Sequence, residues 1–371
     1  METSNISSVN VIAVDLPLIG KYRNSLGVKD KVSSVVLILK TDGGICGFSS
    51  IEPDMPSYSE ETTYNIRDII RKEFVPILTG DDPFYTRSIM DKLNRSVYGH
   101  YMSKALVETA ILDLRSKMLG QSVQKMIGGK VHDKLSVIGW IGLGKVDVIK
   151  DKLESMLSEG FRCIKIKIGP EIELDLDMLK AIRKEYGHDF AIRVDANQCM
   201  TRKTALRFIE RAENLELEHI EQPVNRLDFS SMSFLNNRSS IPIMADESVV
   251  TRQDLLRLIQ EEAASIVKLK VMRSGGIFET LNMISLAEAG GIDCIIGNGF
   301  SSSVGTQIEA TVASISRSLT DAHEFVGPLK LKEDIVRQKS EYKKGTLIFR
   351  TGPGFGYEFE DLNEDLKKKI I

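Results

Sequence analysis

Five charged residues stand at nearly equal intervals between positions 167 and 270, each directly after an apolar stretch. They are Lys167, Asp195, Glu221, Asp246 and Lys270, and the intervals between them are 28, 26, 25 and 24 residues. Each interval is about the length of one strand-plus-helix unit, and parallel strands in a barrel present their carboxyl ends at one face. Any one of these residues alone is explained by helix capping or a loop charge. Five in register predict a shared functional site.

Three of the five are carboxylates from successive predicted strands. In a partly buried site, Asp195, Glu221 and Asp246 repel one another unless a cation lies between them. Oxygen ligands without His or Cys favour a hard ion, and a small site with room for water and substrate favours Mg²⁺, with Mn²⁺ as the alternative. The sequence therefore predicts a metal site that clamps a substrate carboxylate and stabilises the enediolate formed when an α-proton is removed.

The lysines are candidate acid/base groups. In the strand-like segment 161–169, apolar residues alternate with Lys165 and Lys167, so both lysines point to one face, which in a closed barrel is the interior. Burial and the neighbouring charge of Lys165 are expected to lower the pKa of Lys167 toward that of a base. Lys270 comes from a strand far round the barrel and approaches from the opposite side. Two such lysines permit racemisation, or proton removal with acid or cation assistance from the far face.

Strand and helix patterns that alternate after Gly128 and Gly129 explain how these groups are positioned. The alternation predicts a (β/α)₈-type barrel with its site at the carboxyl-end face. A doubly wound sheet is the alternative, but it usually carries a Gly-rich phosphate loop, and GxGxxG does not occur. The predicted strands are Leu135–Ile141, Cys163–Ile168, Ala191–Asp195, His219–Glu221, Pro242–Asp246, Ser265–Lys270, Cys294–Gly297 and a short one near Glu324.

The first part of the chain reads differently, with three strand patterns followed by helical periodicity, which is typical of an α+β unit. Residues 20–31 and 52–58 lack periodicity and are predicted as loops that close over the site, with plain surface connections as the alternative. On these loops, Arg23 is expected to contact a distal carboxylate of the substrate, and Tyr58 to close the second loop over it.

Composition excludes several classes of partner. Among 371 residues the formal net charge is −3, so nothing favours nucleic acid or an anionic membrane. The four cysteines are widely scattered, which predicts reduced thiols in a cytoplasmic protein. No apolar run reaches the length of a membrane span, and no signal peptide pattern opens the chain.

Taken together, the motifs resemble those of the enolase superfamily, and within it the muconate cycloisomerase (muconate lactonizing enzyme) subgroup. The resemblance covers the whole chain and rests on Lys-x-Lys at Lys165, Asp-Ala-Asn at Asp195, Glu-Gln-Pro at Glu221, Asp-Glu-Ser at Asp246 and Lys-x-x-x-x-Gly-Gly at Lys270. It implies a modified TIM barrel, (β/α)7β, with an N-terminal α+β capping domain. The implied boundaries are 1–128 for the cap, 129–330 for the barrel and 331–371 for a segment that returns to the cap.

The same resemblance implies roles for individual residues. The three carboxylates would bind Mg²⁺, Lys167 and Lys270 would form the acid/base pair, and Lys165 would contact the substrate carboxylate and tune Lys167. Asn197 and Glu247 would lie beside the metal ligands, although a position as ordinary polar side chains at the protein surface explains them nearly as well. A small-molecule carboxylate substrate and a homo-oligomeric assembly are also implied.

The reaction within the subgroup is decided by other positions. Dipeptide epimerases carry Asp-x-Asp after the eighth strand, but here Glu324 is followed by Phe325 and Val326. A Glu in this place resembles muconate-type cycloisomerases, whereas the segment beginning at Asn298 departs from the usual Gly-Ser-Met form. We therefore expect a cycloisomerase. The alternatives are a racemase or epimerase of an N-modified amino acid or dipeptide, an acid dehydratase, and a binding protein that retains the shell of the site.

Overall fold

The computed structural model describes residues 4–24, 27–53, 59–320 and 322–368. Its first part is an antiparallel meander covered by helices on one face. The strands are β1 (Ile6–Asn24), β2 (Gly27–Thr41) and β3 (Cys46–Ile51). The helices are α1 (Thr63–Ile69), a π-helical turn (Ile70–Phe74), α2 (Val75–Leu78), a 3₁₀ turn (Pro83–Tyr85), α3 (Thr86–Ser96), α4 (Tyr101–Met118) and α5 (Val123–Met126).

The central strand β2 is apolar on both faces because both faces are covered. Val35, Leu37 and Leu39 pack among the cap helices, whereas Val36 and Ile38 belong to the core shared with the barrel. Period-2 alternation is hidden in such a strand, which reads as one apolar run. The cap sheet is therefore held between its own helices and the barrel.

The prediction of a loop over residues 20–31 is wrong for 20–24 and 27–31, which are the paired outer parts of β1 and β2. After a register shift between Pro17 and Tyr22, strand pairing resumes with Tyr22 opposite Lys29 and Asn24 opposite Gly27. Pro17 removes a backbone donor and interrupts the apolar alternation, which is why the sequence pattern does not reveal the outer part of the hairpin.

A seven-stranded parallel sheet in sequential order forms the barrel, with helices between its strands. The strands are β5 (Gly139–Ile141), β6 (Cys163–Lys167), β7 (Ala191–Asp195), β8 (Leu217–Glu221), β9 (Ile243–Ala245), β10 (Ile266–Leu269) and β11 (Asp293–Ile296). The helices are α6 (Val146–Ser158), α7 (Ile172–Tyr186), α8 (Arg202–Ala212) with a 3₁₀ turn (Glu213–Leu215), α9 (Phe229–Asn236), α10 (Arg252–Gln260), α11 (Val271–Ser274), α12 (Ile277–Ala289) and α13 (Ser303–Ile315).

The eighth strand position of the barrel is occupied by isolated β-bridges rather than by a regular strand. His323 bridges to Val137 on one side, and Glu324 bridges to Gly297 on the other. The short strand predicted near Glu324 is thus reduced to two residues, but these join the first and last strands. The predicted fold class, a TIM-like barrel with an N-terminal α+β cap, is confirmed.

The C-terminal part runs back along the molecule. It contains α14 (Gly327–Lys330), β12 (Glu341–Lys343), β13 (Thr346–Ile348), a 3₁₀ turn (Phe359–Asp361) and α15 (Glu364–Lys367), and β13 pairs with β4 (Leu135–Ser136). Asp113 on α4 accepts hydrogen bonds from the backbone N–H of Phe48 and of Phe355, each at 2.9 Å. One buried carboxylate therefore ties the cap sheet to the returning segment.

Two further features concern the chain as a whole. Across the described segments, every helix is too short or too polar to cross a membrane. All four cysteines lie in those segments and are free thiols, as expected, with Cys163 and Cys294 buried.

Candidate active site

A cavity opens where the carboxyl ends of the barrel strands meet the β1–β2 hairpin. The barrel contributes Lys167, Asp195, Asp246 and Lys270 to its wall, and the hairpin contributes Tyr22 among others. Groups predicted from five separate strand ends thus reach one place, with Glu221 lying just beneath the wall.

Strand register explains why the acids and Lys167 reach the same level. Lys167 pairs with Asp195 across β6 and β7, and Asp195 pairs with Glu221 across β7 and β8. Asp246 follows β9, and Lys270 follows β10. The β7–β8 pairing has a register shift between Ile192 and Arg193 but is regular from there to Asp195 and Glu221. Regular pairing at the strand ends keeps the side chains of one set on the interior face.

At the floor of the cavity, two lysines and two acids form a closed ring of alternating charges, here called the ionic ring. Lys165 Nζ lies 2.6 Å from Glu324 Oε1 and 2.7 Å from Glu221 Oε2. Lys268 Nζ lies 2.6 Å from the same Glu324 oxygen and 2.6 Å from Glu221 Oε1. All four side chains are buried. Buried charges of this kind are tolerated only when paired and hydrogen-bonded, as they are here.

Lys167 is held at the upper side of this ring. Its ammonium donates to Asp195 Oδ2 and to Asn197 Oδ1, each at 2.6 Å. Burial and Lys165 both lower the pKa of Lys167, as the sequence suggested, but Asp195, Tyr22 and Glu221 together raise it more, and the net pKa is above its usual range. The expectation of a lowered pKa is therefore wrong for the protein without a metal ion.

Asp246 is bound from the other side of the cavity. Lys270 Nζ lies 3.0 Å from Asp246 Oδ2, and Arg273 Nη2 lies 2.7 Å from Oδ1. These cations hold the pKa of Asp246 well below its usual range, although burial opposes them. Asn197 donates to Glu247 at 3.3 Å, and burial raises the pKa of Glu247. Asn197 and Glu247 thus lie between the Lys167 and Lys270 sides, next to the acids.

The carboxylates have the chemistry of a cation site, although lysines neutralise them here. Within the described segments, no three acidic, His or Cys side chains stand ready around a common point. However, the Lys165 ammonium lies 2.7 Å from both Asp195 and Glu221, which shows that one positive centre fits between these two acids. Asp246 Oδ1 and Glu221 Oε2 make no hydrogen bond in the described part of the chain, although each faces a cation. The donor set fits a hard divalent ion that displaces the ammonium groups.

The predicted substrate-contacting residues fall into two groups. Glu324 and Asn298 both line the cavity. Arg23 does not, because alternation along β1 turns it away from the face that carries Tyr22 and Asn24, and its side chain is exposed beside a neighbouring groove. Tyr58 lies outside the described residues.

Several residues of the site were not predicted. Lys268 stands two positions before Lys270, so the pleat that places Lys165 with Lys167 also places Lys268 toward the interior. Arg273 on α11 and Lys330 on α14 follow strand ends without any periodic signal. Trp140 and Phe300 line the outer cavity and read from sequence as ordinary core aromatics.

Comparisons with known proteins agree with this architecture. Residues 7–128 match the N-terminal domain of the mandelate racemase / muconate lactonizing enzyme family, and residues 148–363 match the enolase C-terminal domain-like family. N-succinyl-L-Arg/Lys racemase from Bacillus cereus is 29% identical over 98% of this chain and 97% of its own length. Chloromuconate cycloisomerase from Cupriavidus pinatubonensis is 32% identical over 94% of each chain.

A solved structure shows the same fold over the full length. Muconate lactonizing enzyme from Pseudomonas fluorescens, complexed with muconolactone, superposes with a TM-score of 0.94 at 32% identity and full coverage of both chains. Relatives of two reaction types are thus similar to this chain at comparable identity. The chain belongs to the mandelate racemase/muconate lactonizing enzyme family of the enolase superfamily.

Proposed function

We propose that the protein is a divalent-metal-dependent isomerase that removes and returns a proton next to the carboxylate of a small acid. The observation that carries this proposal is the placement of Lys167 and Lys270 on one cavity with Asp195 and Asp246 between them. Lys167 ends β6 and Lys270 follows β10, and these two strands are four positions apart in an eight-membered barrel. The two amines therefore face each other across the cavity.

The metal is proposed to be Mg²⁺, with Mn²⁺ as the alternative. Members of the family generally depend on a divalent ion, and Asp195, Glu221 and Asp246 would hold it here. A bound ion would supply positive charge that stabilises the extra negative charge on the substrate carboxylate when the α-proton leaves. If Asp195 were shared with such an ion, it would raise the pKa of Lys167 less than it does here.

The remaining residues act on protons and position. Lys167 takes the proton on one face of the substrate while Lys270 donates or stabilises on the other, and the exchange of these roles gives the reverse reaction. Lys165 stays charged within the ionic ring, since burial is outweighed by three carboxylates that raise its pKa well above the usual range. Lys165 therefore serves as a fixed positive charge and not as a base.

Two isomerisations use this arrangement. The first candidate is a muconate-type cycloisomerisation, supported by Glu324 in the cavity and by the muconate lactonizing enzymes among the relatives. The second is racemisation of an N-acylated amino acid. It is supported by the opposed lysines, which a two-base mechanism requires, and by the N-succinyl-L-Arg/Lys racemase relative.

Proton exchange in D₂O tests the proposal even while the natural product is unidentified. The enzyme is incubated with Mg²⁺ and with muconolactone, N-succinyl-L-arginine or N-succinyl-D-arginine, and the α-proton signal is followed by NMR. A racemase incorporates deuterium into both enantiomers, whereas a cycloisomerase exchanges the lactone proton and forms muconate. Exchange should stop with EDTA. Unchanged exchange in the Lys167→Met/Lys270→Met double variant, or none with any acid, would overturn the proposal.

A further inference from the structure

The outer part of the cavity contains a second cationic centre, away from the strand-end acids. Lys330 is the last residue of α14, and its buried ammonium donates to the carbonyl oxygen of Gly299 at 2.8 Å. Three aromatic rings surround it, with centroids 4.4 Å away for Phe300, 4.9 Å for Trp140 and 5.2 Å for Tyr22. Cation–π contacts favour the charge on Lys330, but the rings also exclude water from it.

Lys330 forms no ion pair with a carboxylate of the described residues. The acid whose charge acts most on it is Glu324. That carboxylate already serves Lys165 and Lys268 in the ionic ring. Burial accordingly lowers the pKa of Lys330 well below its usual range. An anion beside Lys330 would restore the stability of its charged form.

A second lysine reaches the same aromatic group from the hairpin. Lys29 Nζ lies 4.7 Å from the centroid of Phe300, the ring that also contacts Lys330. Five of the described lysines line the cavity, and Lys330 and Lys29 are the two among them that lie at Phe300.

We propose that Lys330, assisted by Lys29, binds a second anionic group of the substrate and sets the preference of the site for dianionic over monoanionic acids. One carboxylate of the substrate lies at the strand-end acids and reacts, while the other lies against Lys330 between the aromatic rings. This inference rests on the proposed function, since it assumes that the reacting carboxylate is bound at Asp195 and Asp246.

Matched pairs of acids test the inference by calorimetric binding in the presence of Mg²⁺. Adipate and hexanoate differ by one terminal carboxylate, and racemic N-succinylarginine and N-butyrylarginine differ in the same way. The wild type is expected to bind the member with the second carboxylate more tightly in at least one pair. Lys330→Met should weaken the binding of that member about tenfold or more and change the binding of the member with one carboxylate less than about twofold. Lys330→Arg should retain the preference, and Lys332→Met, at an exposed position of the same segment, should bind as the wild type does.

Two results would overturn the inference: equal affinity of the wild type for both members of each pair, or equal weakening of both by Lys330→Met. Circular dichroism checks that this variant folds. Should it not fold, Lys29→Met takes its place, and an unchanged dianion preference there counts against the subsite. Failure of the proposed function is separate, because it appears as the absence of proton exchange, whereas Lys330→Met should still exchange the α-proton of N-butyrylarginine.

Discussion

Lys165 and Lys268 donate to the same oxygen of Glu324, each across 2.6 Å. Because Lys165 lies on β6 and Lys268 on β10, this oxygen connects opposite sides of the barrel. Glu324 also forms the bridge to Gly297 that joins the eighth strand position to the end of β11. The ionic ring and the closure of the barrel therefore depend on the same residue.

Replacing Glu324 should destabilise the whole barrel. In Glu324→Gln, two buried ammonium groups lose a shared negative charge while Glu221 alone remains in the ring. Breaking a buried ion pair from one side costs about 3–5 kcal/mol, and we expect a loss of that order in urea unfolding. Glu333→Gln, an exposed acid nearby, is the control and should change stability by less than about 0.5 kcal/mol. A loss below about 1 kcal/mol in Glu324→Gln would show that the ring contributes little.

Lys268 should compete with the metal ion. Its ammonium lies 2.6 Å from Glu221 and 3.7 Å from Asp246, two of the proposed ligands. Lys268→Met should lower the melting temperature in EDTA, because the acids lose a cation. Added Mg²⁺ should then raise the melting temperature more than in the wild type, since ligand binding stabilises the folded state. Lys203→Met, at an exposed site on α8, serves as control. The same Mg²⁺ shift in all three proteins would contradict the competition.

Lys167 and Lys270 should each remove the α-proton from a different face of the substrate. If the protein racemises an acylated amino acid, Lys167→Met should abolish deuterium exchange from one enantiomer and leave the other exchanging. Lys270→Met should do the reverse, with losses on the order of 10²–10⁴ for the affected enantiomer. NMR in D₂O on separate enantiomers measures both rates. Equal losses for both enantiomers in each variant would exclude a two-base mechanism.

Glu108 gives the fold a defined pH dependence. It lies buried on α4, accepts from the backbone N–H of Ile277, and burial raises its pKa to about 8. The unfolded chain ionises this group near 4.5, while the folded protein keeps the proton, so between these values the unfolded state binds fewer protons. Stability therefore falls as pH rises from about 4.5 to about 8, with a limiting slope of about 1.4 kcal/mol per pH unit.

The variant Glu108→Gln should lose this part of the slope. Urea unfolding of both proteins at pH 5, 6, 7 and 8 gives the difference in free energy of unfolding, in which the contributions of other buried acids such as Glu52 and Glu309 cancel. The difference should move in favour of Glu108→Gln as pH rises. The exposed Glu288→Gln should show no such trend, and a pH-independent difference for Glu108→Gln would contradict the raised pKa.

Register is the reason that much of the site could be predicted from sequence. Residues spaced by one strand-and-helix unit must meet when the strands are parallel and in order, as Lys167, Asp195 and Glu221 do. The same alternation applied to 268–270 would have included Lys268 in the interior. Residue spacing does not predict which lysines neutralise the acids. Those lysines come from separate strands, and their contacts depend on closure of the barrel.

The residues in the outer part of the cavity were harder to predict from sequence. The hairpin that carries Tyr22 and Lys29 is predicted from sequence as a loop, and without an assigned pleat the sequence does not show that Arg23 points away from the cavity. Lys330 follows the eighth strand position and lies in a four-residue helix. This helix is too short to produce a periodic sequence pattern. Its importance is visible only when the rings of Trp140 and Phe300 are placed around it.

The proposed acid/base lysines and metal ligands lie at the ends of barrel strands, whereas Lys29 and Tyr22 lie on a hairpin contributed by the cap. Mutations in the hairpin can therefore alter which compound is accepted while the proton-transfer machinery stays intact. Because the two sets of residues lie on separate elements, the substrate specificity of this fold can change while its proton-transfer mechanism is retained.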